Sequence, residues 1–289
     1  MEHAAAAGRD QLISPRIIIC ADDFALSPGV SAAIASLARQ AKIDAVSAMA
    51  ALPGWARDAA LLDDRAAGVE VGLHLVLCDE RPMQPMPNSA PGGHLPDSAA
   101  LTRSALFGRL DRAEFAAEIE RQFDAFENVM GEPPKFVDGH RHCHLVPGLR
   151  DLVLDATRRR APDAWLRHCG DRLLAILARP FRGKALGSAL WSAGFQRAAK
   201  QRSLATNCSF AGHYDFRSDY AALLPRFLAR PSAFHLVMCH PGGGNAGDPL
   251  GAARAAEYRV LLGGRGQNQD GSSDARDPSA WRSGPSHCA

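Results

Sequence analysis

The chain has 289 residues, 46% of them hydrophobic, with 33 Lys and Arg against 31 Asp and Glu. That length and apolar content suffice for one large core, and a single α/β domain is the simpler division. The near-balance of charge argues against a nucleic-acid partner and against an acidic disordered chain, which leaves a small molecule as the expected partner.

Residues 1–15 are expected to be a flexible N-terminus. The stretch from Met1 to Arg16 carries Glu2 and Asp10 and has no apolar core behind a basic start, so no secretory signal is expected. No run approaches the ~18 apolar residues of a membrane helix, and a cytoplasmic protein is the expectation. Arg16 to Ala21 is a β-branched run of the kind a buried parallel strand shows, and it ends in Asp22-Asp23. Ser27 then reads as an N-cap, with Pro28 in the first turn of a helix that runs to about Gln40 on Val30, Ile34 and Leu37. Ile43 to Ala51 predicts a second strand, Trp55 to Leu62 a second helix and Gly68 to Leu77 a third strand. That third strand carries His74, which is out of place for packing; a hydrogen-bonded core histidine is the alternative to a functional one.

Cys78 to Leu110 contains Pro82, Pro85, Pro87, Pro91 and Pro96 and is too long for a mere connector. Loops of this kind usually cover a site. Asp111 then caps a helix, with Glu114 placed as in a capping box, and Phe115, Ile119, Phe123 and Phe126 repeat at the spacing of core packing. Lys135-Phe136-Val137 is a short strand leading into Asp138-Gly139-His140-Arg141-His142-Cys143-His144. In an extended chain alternate side chains share a face, so Asp138, His140, His142 and His144 would point together, as a metal site requires. Ordinary polar loop histidines are the alternative.

Leu149, Leu152, Val153 and Ala156 mark another helix. Ala164 to Arg167 predicts a fifth strand, Leu204 to Thr206 a short sixth, and Phe234 to Cys239 a seventh that ends in His240-Pro241-Gly242-Gly243-Gly244. A last helix spans roughly Gly251 to Leu262. Gly263 to Ala289 lacks apolar periodicity and is expected to be a disordered tail. Seven cysteines without a Cys-x-x-Cys pair make a disulfide framework or a zinc ribbon unexpected, and packed free thiols are preferred over cysteine ligands.

Strands alternating with helices imply an α/β fold with a parallel sheet, and about seven such units over residues 16–262 imply a deformed TIM-like barrel. Asp22, Asp23, His74, His140, Arg167 and His240 all fall late in strands or just after them. They would meet at the C-terminal rim, where barrel active sites form. One carboxylate of the Asp pair and two imidazoles make a three-ligand divalent site with room for water. The second carboxylate can take a proton and His240 can give one. The reaction class read from this set is metal-assisted hydrolysis of an amide or ester.

Four motifs, Ala21-Asp22-Asp23-Phe24, Val71-Gly72-Leu73-His74-Leu75-Val76-Leu77, Asp138 to His144 and Met238-Cys239-His240-Pro241, resemble the YdjC-like carbohydrate deacetylases of the ChbG/HpnK group, over about residues 16 to 262. The resemblance implies removal of an acetyl group from an N-acetylated amino sugar, either an oligosaccharide or a lipid-linked, hopanoid-associated one. It also implies Asp23, His74 and His140 as ligands of one divalent ion, Asp22 as base and His240 as acid. Arg167 is assigned to substrate, and Asp138, His142 and His144 to support around the ligands. Magnesium is the ion the resemblance implies, whereas two imidazoles and a carboxylate suit zinc or another transition metal better. A homodimer is a further implication. Ala25, Gly139 and Leu236 depart from the residues usual in that family.

The competing readings are another barrel metal hydrolase, an amidohydrolase or phosphoesterase, and a non-catalytic sugar- or metal-binding protein. Against the first, Asp-Asp stands on the first strand where amidohydrolases carry His-x-His, and no Walker-type loop is present. Against the second, both Asp22 and His240 are in place. Residues 172–202 hold seven Lys or Arg and no acidic residue, interleaved with Phe181, Trp191 and Phe195. Peripheral contact with the inner face of a membrane is one reading of that stretch, and a solvated helical face around the barrel is the preferred one.

Overall fold

In the computed structural model, residues 15–244 and 247–264 are described; most of the N-terminal stretch and most of the expected C-terminal tail lie outside them. The chain begins with β1 (Arg16–Phe24), α1 (Pro28–Arg39), β2 (Ala45–Ala48), α2 (Trp55–Asp58) and β3 (Glu70–Leu75). Next come α3 (Ser98–Leu106), α4 (Arg112–Met130), β4 (Phe136–Gly139), α5 (Arg150–Arg160) and β5 (Trp165–Leu166). The remainder is α6 (Leu173–Leu177), α7 (Arg182–Trp191), α8 (Phe195–Gln201), β6 (Ala205–Thr206), β7 (Ser209–Ala211), α9 (Tyr220–Leu228), β8 (Phe234–Cys239) and α10 (Gly251–Leu262).

All strand pairings are parallel, in the order β6-β5-β4-β3-β2-β1-β8-β7. This is the neighbour relation of a (β/α) barrel left open between β6 and β7. Those two strands follow each other across Asn207 and Cys208, and the buried Asn207 side chain occupies the break. It accepts from His168 N at 2.6 Å and donates to His168 O at 2.8 Å and Ser209 O at 3.0 Å. Among the described residues the sheet has eight strands rather than about seven. Ser209–Ala211 is too short to show a period, which is why the sequence pattern does not reveal it.

Core packing follows the sequence pattern closely. Phe115, Ile119, Phe123 and Phe126 of α4 are buried, and Trp55 stacks on Phe126 at 5.5 Å with its indole N–H bonded to Ala125 O. In β3, Gly72 is required by contact, because a Cβ there would lie 2.5 Å from the Phe136 ring. The proline-rich segment before α4 contains α3, which its punctuation hides. Carboxylates of α4 hold that segment down. Glu114 does not close a capping box but accepts from Asn88 N and Ser89 N, while buried Glu118 accepts from Met83 N.

Residues 172–202 do not form one basic surface. They divide among α6, α7 and α8; Arg179 is buried against Asp171 and Phe210 O, and Phe195 is in the core. Among the described residues no helix is long and apolar enough to cross a membrane.

Candidate active site

The end of β1 departs from regular strand geometry where the two aspartates stand. Ala21 pairs with Val46 and Phe24 with Ala48, so β1 carries one extra residue in a bulge. Asp23 takes φ 68° within it, and Ala25 follows at φ 76°. Aspartate tolerates the left-handed region better than most residues, and bulges re-aim side chains beside active sites. Here the bulge lets adjacent aspartates, which a flat strand would send to opposite faces, serve one site. Ala25 stands in a backbone conformation that favours glycine, the residue usual at that position in the resembling family.

Ligand atoms of Asp23, His74 and His140 lie within 4.8 Å of one another. Asp23 Oδ1 is 3.1 Å from His140 Nδ1 and 3.5 Å from His74 Nε2. Behind His74, its Nδ1 lies 2.6 Å from Asp138 Oδ1, which also accepts from Ser47 Oγ at 2.5 Å. That carboxylate keeps the proton on Nδ1 and turns Nε2 toward Asp23, the arrangement that orients a metal-binding imidazole. Two imidazole nitrogens and one carboxylate oxygen, one of the imidazoles already oriented, fit a divalent ion. Burial opposes the charge on Asp23, but hydrogen bonds from His140 and His74 prevail and hold its pKa well below the usual carboxylate range. Burial also opposes a charge on His74, yet Asp138 and Asp23 carry its pKa up to about 10.

A second group, Cys20, Asp22 and Asp138, also has ligand-type atoms in reach of one another, but a guanidinium stands among them. Arg167 is fully buried, grips both oxygens of Asp22 at 2.6 Å, and reaches Asp138 Oδ2 at 2.5 Å and Cys20 Sγ at 3.2 Å. The resemblance assigns Arg167 to substrate, and the structure places its side chain on two carboxylates. It does not line the cavity; it orients Asp22 and Asp138 from behind.

The three histidines after Asp138 do not share a face. Residues His140–Leu145 form a 3₁₀ turn in which Arg141 and His142 have positive φ, and the turn separates the rings. His140 reaches Asp23, and His142 Nδ1 lies 3.5 Å from Cys169 Sγ with its ring against Phe210 and His213. His144 is buried and bonds Arg167 O through Nε2 at 2.9 Å. It thus braces the arginine strand rather than the ligands. The turn needs a small residue before it, since a Cβ on Gly139 would lie 2.7 Å from Cys143 Sγ.

His240 follows β8 and lines the cavity with Asp22, Asp23, His74 and His140. Its Nδ1 is enclosed without a hydrogen-bond partner, its ring meets Phe216 edge-on at 5.3 Å, and burial lowers its pKa to about 4 although Asp23 and Asp22 pull it up. The position of the residue is set from α10, which sequence reasoning treated as a plain terminal helix. Glu257, fully buried, accepts from the His240 backbone N–H and from the Tyr214 hydroxyl. One turn earlier Arg254 donates to Asp23 Oδ2 at 2.7 Å and pairs with Asp248. The signal for both was available: Arg254 and Glu257 lie on the face of α10 that also carries Gly251 and Leu261 inward. The departure at Leu236 leaves a wholly apolar position in β8, and the carboxylate that braces His240 comes from α10 instead.

The cavity above these groups measures about 1260 Å³. Its far walls are α3, through Ser98, Ala99 and Thr102, and α7, through Lys184, Ser188 and Trp191. The sequence profile of YdjC-like proteins matches residues 16–268. The chain belongs to the YdjC-like family. Relatives of this YdjC-like protein include the chitooligosaccharide deacetylase of Enterobacter sp. (strain 638), 33% identical over 145 residues, or 50% of this chain and 56% of that one. The chitooligosaccharide deacetylase of Serratia marcescens is 34% identical over 137 residues, 47% of this chain and 53% of that one. The match thus spans about half the length of these curated relatives. A solved structure from Enterococcus faecalis V583, described as a cellobiose-phosphate cleavage protein, superposes with a TM-score of 0.63 at 18% identity, covering 86% of this chain and 90% of that one. That likeness bears on the fold alone.

Proposed function

We propose that this YdjC-like protein is a metal-dependent hydrolase that removes the acetyl group from an N-acetylated amino sugar. The observation that carries the reading is the convergence of Asp23, His74 and His140 on one point of a large cavity, with Asp22 and His240 beside them. The names of the curated relatives support the choice of an acetamido sugar over other amides.

Asp23, His74 and His140 would hold one divalent ion, and the two imidazoles favour zinc or another transition ion over magnesium. When bound, such an ion supplies Lewis acidity toward the amide carbonyl and makes water a better acid. Asp22, oriented by Arg167, takes a proton from the attacking water. His240 delivers a proton to the departing nitrogen. Because burial keeps His240 neutral near pH 7, it gains that proton during turnover, from the one Asp22 has taken. Both groups then return to their starting states as acetic acid and the amine leave, and the acid passes its proton on, so that acetate and an ammonium group result. Arg254 holds the second oxygen of Asp23, so the aspartate presents one oxygen forward.

Acetate release from N,N′-diacetylchitobiose, measured with and without a chelator and after metal is restored, tests the reading. Release that stops with chelator and returns with a transition ion is the expected result. No release with any divalent ion overturns it.

A further inference from the structure

One face of α7 is turned to the cavity. Lys184, Gly187, Ser188 and Trp191 all line it, and their spacing of three, four and seven residues puts them on one side of a helix. Gly187 costs α7 about 1 kcal/mol relative to alanine, and packing does not require it, since a Cβ there would meet nothing within 4 Å. Trp191 is 37% exposed, and among the described residues no ring stacks on its indole. Ser188 is 8% exposed, with its Oγ beside the Cys169 thiol. The helix is tied to the reactive end of the cavity. Lys184 Nζ donates to Tyr214 O at 2.7 Å and lies 5.9 Å from the ring of Phe216, which in turn faces His240. Phe216 itself is held at φ 60°, a costly conformation for a bulky residue.

We propose that this face of α7 is a binding subsite for a second pyranose ring, joined to the ring that loses its acetyl group. A pyranose presents C–H groups on its flat faces and hydroxyls around its edge. It therefore needs an aromatic plane, open space beside it and polar groups at the margin. Trp191 supplies the plane, Gly187 the space, and Ser188 and Lys184 the margin. The cavity volume of about 1260 Å³ exceeds the roughly 300–1,000 Å³ of most small-molecule sites, which suits more than one ring. The inference rests on the deacetylase reading for the chemistry at the first ring, and on α7 alone for the second.

The test compares N-acetylglucosamine with N,N′-diacetylchitobiose as substrates of the metal-loaded protein, and measures binding of each by calorimetry. In the wild type, kcat/KM is expected to be higher for the disaccharide. Trp191→Ala should lower the disaccharide-to-monosaccharide ratio by about tenfold, the worth of one aromatic contact. Gly187→Leu, which improves helix propensity and so should not unfold α7, should lower the ratio similarly by filling the space. Trp191→Phe should restore most of it. Ratios that stay at the wild-type value in both Trp191→Ala and Gly187→Leu overturn the subsite. If the wild type deacetylates neither sugar, the function fails but the subsite is still read by calorimetry. Disaccharide binding that Trp191→Ala weakens supports it, and wild-type protein that binds neither sugar overturns it.

Discussion

Replacing Asp138 by asparagine isolates what a carboxylate behind a ligand does. Asp138 is fully buried; one oxygen meets His74 Nδ1 and Ser47 Oγ and the other meets Arg167. Asparagine has the same shape but one accepting end. If its oxygen stays toward His74, its NH₂ faces the guanidinium, a donor against a donor. If it turns over, the NH₂ faces Nδ1, and the imidazole must move its proton to Nε2, the atom that faces Asp23. The first orientation leaves a buried donor unmatched, worth about 1–3 kcal/mol of stability; Arg167 keeps both contacts to Asp22, so the larger loss of an orphaned buried charge is not expected. The second orientation removes a ligand. Asp138→Asn should therefore weaken metal binding about 10–100-fold, or about 1.4–2.8 kcal/mol. Competition with a chromogenic chelator reads the affinity, and circular dichroism on heating reads the stability. A folded variant that binds metal within twofold of the wild type would refute the claim that Asp138 sets the state of His74.

Asp23→Asn should lose bound metal, whereas Asp22→Asn should keep it and slow turnover by roughly 10²–10⁴-fold, the usual worth of a general base; metal analysis and acetate release on both variants decide, and the opposite pattern would reverse the two roles. His74, with its pKa at about 10, is protonated at pH 8, so metal binding should release a proton there; calorimetry in buffers of different ionisation enthalpy measures it, and zero release contradicts the ligand assignment. Burial raises the Glu257 pKa from 4.5 to about 7. Its neutral form is favoured in the fold, so its contribution to stability is complete below pH 4.5 and is lost as pH rises through 7. At 1.36 kcal/mol per pH unit that interval amounts to about 3 kcal/mol, and Glu257→Gln should flatten the stability profile there; parallel urea profiles for the two proteins would exclude it. Gly72→Ala drives a methyl into the Phe136 ring and should cost about 1–3 kcal/mol, read from the urea midpoint.

The sequence shows elements whose burial is periodic and whose ends are chemically marked. Ser27-Pro28 opens α1, with the Ser27 side chain accepting from Val30 N, and Asp111 opens α4 in the same manner. β1, β3 and β8 are long enough for their apolar runs to register. By contrast β5 and β6 have two residues each and β7 has three, so their strand character comes from neighbours in the sheet rather than from any local pattern. The helices α6 to α8 are short and partly exposed, and α3 lies among prolines. Tertiary contact decides such segments, and propensity has little to say about them.

The site was legible to the depth of its strand ends and no further. Asp22, Asp23, His74, His140 and His240 announce themselves because a polar residue at the end of an apolar strand has few structural uses. What holds them was not visible, for the partners lie far off in sequence: Asp138 and Ser47 behind His74, Arg167 beneath Asp22, Arg254 on Asp23 and Glu257 under His240. The alternation rule failed at His142 and His144 because the chain leaves the strand at Gly139, and a 3₁₀ turn spaces side chains by thirds rather than halves. Charge explains why so many partners are needed. Asp22, Asp23 and Asp138 are buried carboxylates, and Arg167 and Arg254 are the buried cations beside them. Three negative charges against two leave a deficit that a low-dielectric interior does not tolerate. A proton on His74 fills it; a divalent ion that expels that proton brings two positive charges instead of one, and Asp248, paired with Arg254, is a further carboxylate beside them. Proton and ion compete for one place, which makes His74 both the residue hardest to explain as packing and the one through which pH acts on metal binding.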